Sequence, residues 1–195
     1  MEIHNNQQTF YAKSRKEWRK WLDKNHQSEK SVWLIIYNKV AEVPGVSYTE
    51  AVEEALCYGW IDSKANKRDE QSHYQYFSKR NPKSKWSAIN KVRIKKLLEQ
   101  NLMAPAGLEM VTLAKETGTW AALEDADNII LPAELKKAFV QNKGAKANWD
   151  KFSRSSKRII LEWILDAKRE ETRAKRIDET AVLAAKNIRA HYPKP

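Results

Sequence analysis

Cysteine occurs once in 195 residues, glycine five times and proline six times. A single cysteine excludes an intramolecular disulfide and a cysteine-based zinc cluster. So few glycines leave little material for a phosphate loop. Neither GxxxxGK(S/T) nor GxGxxG is present, which disfavours ATP or NAD chemistry through those folds. His4, His26, His73 and His191 have no HxH, HxxxH or HExxH spacing, so no metal site is expected. No run approaches the roughly 20 apolar residues of a membrane-spanning helix. Met1 to Phe10 is polar and lacks the apolar stretch of a signal peptide. The expectation is a soluble, reduced, cytoplasmic protein with no membrane insertion and no cofactor.

Aromatic residues and positive charge are abundant. Eight tryptophans and seven tyrosines can fill a dense core. The net charge of +11 is concentrated: residues 64–100 carry 11 Lys/Arg against 3 Asp/Glu, and residues 143–176 carry 11 against 5. If these segments share a face they would attract phosphates; otherwise they are a solvated surface. Lys83, Lys85, Arg93 and Lys95 in the first segment, with Lys168, Arg169, Arg173 and Arg176 in the second, are the nucleic-acid-binding candidates. Glu171 can neutralise part of the second cluster through Lys175, four residues on.

The chain is organised around Ser47 to Ser63. Ser47 with Glu50 predicts a capping box, and Ala51, Val52, Ala55 and Leu56 predict the apolar face of a helix. Gly59 supplies a left-handed turn, after which Trp60-Ile61-Asp62 leaves as a strand. Ser14 with Glu17 predicts a second capping box and a helix with Trp18, Trp21 and Leu22 inward. Ser31 to Tyr37 reads as a strand covered on both faces, and Trp60–Lys64 and Ser72–Ser78 as a hairpin pair. Ser84 is expected to cap a helix carrying Trp86, Ile89, Val92, Leu97 and Leu98. From Met103 the pattern is helical throughout, with Ile159, Ile160, Trp163 and Ile164 on one helix and Ile177, Ala181, Ala184 and Ile188 on the last. The fold class is therefore α+β: a small antiparallel sheet flanked by helices in residues 1–100, then a helical region in 101–195. An acidic connector places the boundary as far on as residue 125.

Three groups of residues invite chemistry. Cys57, at a helix C-terminus, faces the negative end of the helix dipole and reads as a buried thiol rather than a nucleophile. Asp62 on an aromatic strand asks for a partner such as Arg80 or Lys39. Trp33, Trp60, Phe77 and Trp86 can line a pocket with Arg80 and Asn90 as polar anchors, Trp86 and Asn90 sharing a helix face.

Several strings resemble the YdeI/OmpD-associated, or bacteriocin-protection, family. They include Glu17-Trp18-Arg19-Lys20-Trp21-Leu22, Ser47-Tyr48-Thr49-Glu50-Ala51, Gly59-Trp60-Ile61-Asp62-Ser63, Phe77-Ser78 with Arg80, and Trp86-Ser87 with Asn90. Ala167-Lys168-Arg169 and Glu171-Thr172-Arg173 resemble its C-terminal signature. The resemblance implies an N-terminal part similar to the YjbR/CyaY-like superfamily and a role in stress or antimicrobial-peptide tolerance. A chain of this charge repels cationic peptides, so direct sequestration of them is physically unattractive. The leading expectation is a non-enzymatic binding protein for an anionic or small-molecule ligand. Nucleic-acid binding through the basic segments is the first alternative, and a small enzyme at the Trp60/Asp62 corner the second. The sequence leaves the oligomeric state open.

Overall fold

The computed structural model describes residues 2–191, which divide between Ala121 and Ala122 into two compact units. In the first, β1 (Ile3–His4), β2 (Gln7–Tyr11), β3 (Ser31–Tyr37), β4 (Trp60–Lys67) and β5 (Ser72–Lys79) form one sheet in the order β1-β2-β3-β5-β4. The sheet is mixed rather than antiparallel, because β2 runs parallel to β3 with Phe10 opposite Leu34. Sequence patterning missed β1 and β2: their residues are too few and too polar to show alternation.

β3 is apolar on both faces because both faces are covered. Val32, Leu34 and Ile36 join Phe77 and Trp60 in the main core. Trp33 and Ile35 face the other way, beside Tyr74, Tyr76 and Tyr37. On that outer face His4 stacks on Tyr74 at 4.0 Å and meets Trp33 edge-on at 4.6 Å. Glu2 takes hydrogen bonds from Arg68 and Tyr74, fastening the start of the chain over the sheet. The Arg68 guanidinium holds the Glu2 carboxyl below its ordinary pKa. Between Asp62 and Ala65 the β4–β5 register slips in a bulge. The buried Gln75 donates to the Lys64 carbonyl there at 3.3 Å.

Helices α1 (Arg15–Asn25), α2 (Tyr48–Cys57), α3 (Ala88–Glu99) and α4 (Pro105–Glu116) belong to this unit. The capping box of α2 is complete: Ser47 Oγ accepts the Glu50 amide, and the Ser47 amide donates to Glu50 at 3.0 Å. That of α1 is half formed, since the Glu17 carboxylate takes the Lys13 amide instead. Every residue of α2 from Ala51 to Cys57 is buried, so this is an enclosed helix rather than an amphipathic one. Glu53 and Glu54 therefore cannot reach bulk water. Arg15 and Arg19, one turn apart on α1, meet Glu54 at 2.6 and 2.7 Å. Arg15 also pairs with Glu53 at 2.9 Å, and Lys96 of α3 approaches it at 3.5 Å.

The corner after α2 needs its glycine. Gly59 has φ +71°, a conformation that side-chain-bearing residues adopt only under strain. Gly107 serves a different purpose: a Cβ there would lie 2.2 Å from the Cys57 carbonyl oxygen. Its absence lets α4 rest directly on the end of α2.

Two expectations fail in α3. The cap is Ser87, whose Oγ accepts the Asn90 amide, while Ser84 Oγ donates to the Asn81 carbonyl and closes a turn. The helix thus begins at Ala88, and its core residues are Ile94 and Leu97, leaving Ile89 and Val92 66 and 69 % exposed. The lysine-rich sequence masks which apolar stripe points inward.

The second unit comprises α5 (Glu124–Asp127), α6 (Ala133–Gln141), α7 (Ala145–Lys151), α8 (Arg154–Leu165) and α9 (Glu170–Ala185). Its core gathers Leu135, Phe139, Trp149, Ile160, Ile164, Ile177, Ala181 and Ala184. Ile159 and Ile188, expected inward, are 40 and 51 % exposed. Ile188 lies past the end of α9, where the helical period no longer applies. The acidic connector forms the one-turn α5, pinned by Ala126 in the core and by Arg158 on Asp127 at 2.6 Å.

Two substitutions test this account. Glu54→Ala leaves Arg15 with Glu53 and Arg19 with the Leu102 carbonyl, and should destabilise the first unit by about 1.5–3 kcal/mol, the range for a hydrogen bond to a charged group, read from the urea midpoint. Gly107→Ala should cost about 3 kcal/mol, the upper range for overpacking, whereas Gly118→Ala, where nothing lies within 4 Å, loses only the local φ preference.

Candidate functional site

The polar corner of the first unit is built by three elements. The helix start at Ser47 leaves Tyr48, the first residue of α2, pointing outward, and its hydroxyl donates to Asp62 Oδ2 of β4 at 2.7 Å. Burial, then the hydrogen bond and charge of Asp62, push the Tyr48 phenol up to about 12, against a smaller opposing pull from Arg93. On α3, Arg93 Nη1 donates to Asn90 Oδ1 at 2.9 Å. Asp62 thus meets Tyr48, and Asn90 meets Arg93, whose charge reaches the Tyr48 phenol; Tyr48 is the member sequence reasoning missed. Tyr48 carries no periodic signal; its position just inside the Ser47 cap was the clue. Both expected partners of Asp62 are replaced, since its recorded hydrogen bond comes from Tyr48.

Of the aromatic candidates, Trp60, Phe77 and Trp86 gather in the main core and Trp33 lies apart from them. Trp60 and Trp86 are each 1 % exposed, and Phe77 is fully buried. The Trp60 indole donates to the His26 carbonyl. Trp33 lies on the opposite face of the sheet, with the Lys64 ammonium 5.3 Å from its ring centre. Trp86 precedes α3, so it shares no helix face with Asn90. Lys39 stands exposed in a single 3-10 turn.

Arg80 is unusual. It is only 5 % exposed, and its guanidinium stacks on Trp86 at 3.9 Å. One amino group donates to the Lys85 carbonyl at 2.5 Å and, more weakly, to that of Ser84. Its Nε is buried without a partner, and burial pulls its pKa down to about 10. This arginine supports the 80–87 loop from beneath rather than reaching outward as an anchor.

Cys57 is buried, and desolvation followed by the Glu54 charge raises its thiol to about 11. Among the described residues no group of three or more His, Cys, Asp or Glu is placed to hold a metal. No described helix is long and apolar enough to cross a membrane.

The nucleic-acid candidates are split by their internal bonds. Arg173 pairs with Glu134 at 3.0 Å. Arg176 donates to the Trp163 carbonyl at 2.5 Å and lies 4.9 Å from its ring centre. Lys85 is half-buried, while Lys83, Lys95, Lys168 and Arg169 are exposed, two in each unit.

The first unit thus defines an α+β protein with an enclosed central helix and a Tyr–Asp/Asn–Arg corner. The chain belongs to the family described as a domain of unknown function (DUF8412), whose model matches residues 10–110. Residues 128–187 match a second family model, described as Bacteriocin-protection, YdeI or OmpD-Associated. No curated protein and no solved structure matches the chain.

The thiol offers a direct check on the site. In native protein at pH 8, Cys57 should fail to react with a disulfide reagent over the time in which a small thiol is consumed. In denaturant one thiol per chain should react at once. Rapid native labelling would mean that the corner after α2 is open.

Proposed function

We propose that the chain is a non-enzymatic binding protein whose Tyr48–Asp62–Asn90–Arg93 corner takes a small anionic ligand carrying hydroxyl groups. The observation that carries this reading is the pairing itself. Asp62 accepts from the Tyr48 hydroxyl and Asn90 orients Arg93, whose charge reaches the same phenol, so acceptor and cation are each held by one hydrogen bond. Arg93 supplies charge-assisted donors to an anion, and the Asp62 carboxylate accepts from ligand hydroxyls. A phenol raised to about 12 is a poor general base near neutral pH, where an efficient catalyst has its pKa close to the working value. This favours recognition over turnover.

In the cell, this binding would serve tolerance of bacteriocins or antimicrobial peptides. The match of residues 128–187 to the bacteriocin-protection family supports that role. A YjbR/CyaY-like first unit is what the family resemblance implies, and its sheet-and-helix arrangement supports that reading. We place the protein in the cytoplasm. Nucleic-acid binding is the weaker reading, because Arg176 is engaged by a backbone carbonyl and the exposed candidates are divided between the two units.

Thermal shift with ribose 5-phosphate tests the corner. A ligand at about 100 times its dissociation constant stabilises by about 2.7 kcal/mol, a rise of several degrees in the wild type. Arg93→Met should abolish the rise and Asp62→Asn should reduce it, with inorganic phosphate giving a smaller shift. An unchanged rise in Arg93→Met, or none in the wild type, overturns the assignment.

A further inference from the structure

The helical unit contains two cavities that share one wall. The larger, about 260 Å³, is bounded by Asp125, Ile130, Leu161, Leu165, the first turn of α6 and Arg173. The smaller, about 200 Å³, lies along α6 and α9. Glu134 and Arg173 line both, and their 3.0 Å ion pair forms the partition. The pair is half in solvent, with side-chain exposures of 57 and 30 %. A surface pair of this kind contributes only about 0–1 kcal/mol, so a ligand can displace it cheaply.

The larger cavity presents three kinds of chemistry. Arg173 uses Nη1 for Glu134, leaving Nε and Nη2 to grip a carboxylate in a two-point fork. The start of α6 stands on the same wall, with Pro132 as its cap, and the Glu134 carboxylate accepts from its own amide as well as from Arg173. Opposite in sign, the exposed Asp125 carboxylate makes no hydrogen bond or ion pair with a described residue. Ile130, Leu161 and Leu165 give an apolar surface. The volume is somewhat below the ~300–1,000 Å³ of sites for drug-sized ligands, which sets a small occupant.

We propose that this cavity binds a free α-amino acid with an apolar side chain. Its carboxylate would sit on Arg173, its ammonium on Asp125 and the displaced Glu134, and its side chain against Ile130, Leu161 and Leu165. Each part of the zwitterion meets a group of the complementary kind. A simple anion would leave Asp125 repelling it, and a simple cation would leave Arg173 doing so. The site is separate from the Tyr48–Asp62 corner, and either stands without the other.

The test is calorimetric titration of the full chain with L-leucine and L-phenylalanine, alongside 4-methylpentanoate, which is leucine without the amine, and isoamylamine, which is leucine without the carboxylate. The amino acids should bind, and each truncated analogue should bind at least about 10-fold more weakly. Arg173→Met should weaken leucine about 10- to 100-fold, the range for loss of a charge-assisted hydrogen bond. Asp125→Asn should weaken leucine while leaving 4-methylpentanoate unchanged or tighter. Both are surface changes, and an unaltered melting temperature confirms the fold. Equal binding of leucine by Arg173→Met overturns the proposal. So does equal binding of leucine and 4-methylpentanoate, or no heat from either amino acid up to about 10 mM.

Discussion

The first unit depends on how two carboxylates are kept inside it. Glu53 and Glu54 lie on a helix that is buried on every side, and Glu54 is only 2 % exposed. Charges in such a place are tolerated only with close partners. α1 supplies them, since Arg15 and Arg19 stand one turn apart and both reach Glu54. Arg19 also donates to the Leu102 carbonyl at 2.7 Å, tying the segment before α4 into the same network. The ion pairs thus help fix the rotation of α2 about its axis, because the glutamate side must face α1. One end of α2 then brings Tyr48 to Asp62. The other places the Cys57 carbonyl where only a glycine of α4 can fit.

Much of this was legible beforehand. The Ser47 cap, the left-handed Gly59, the doubly covered β3 and the helical second half follow from local rules whose signals lie within a few residues. The network of Glu54 with Arg15 and Arg19 was not legible, because nothing local says that a helix bearing two adjacent glutamates is enclosed. Tyr48 and Asp62 illustrate the same limit, being 14 residues apart and joined only by the turn at Gly59. The error at α3 has another cause. Ile89-Val92 and Ile94-Leu97 are both acceptable stripes, and the choice is made by Ser87, which starts the helix three residues later than Ser84 would. That shift removes Trp86 from the helix face it was expected to share with Asn90.

Arg80 shows why net charge is a poor guide to what this chain binds. It belongs to the most basic segment, yet it is spent beneath a tryptophan on two backbone carbonyls. Arg68 is occupied by Glu2, Asp69 and Ser72, and Arg158 by Asp127 and Glu162. These guanidiniums act as braces for loops and helix ends, a use suited to a planar group with several donors. Sequence counting treats each as available for a phosphate. What recognition requires is a cation held at a surface beside a group of different chemistry, and the arrangement rather than the sum meets that need. Arg93 beside Asn90, and Arg173 between two cavities, are such places. Each is oriented by one hydrogen bond and keeps further donors for a ligand, whereas Arg80 and Arg68 hold the frame in which recognition takes place.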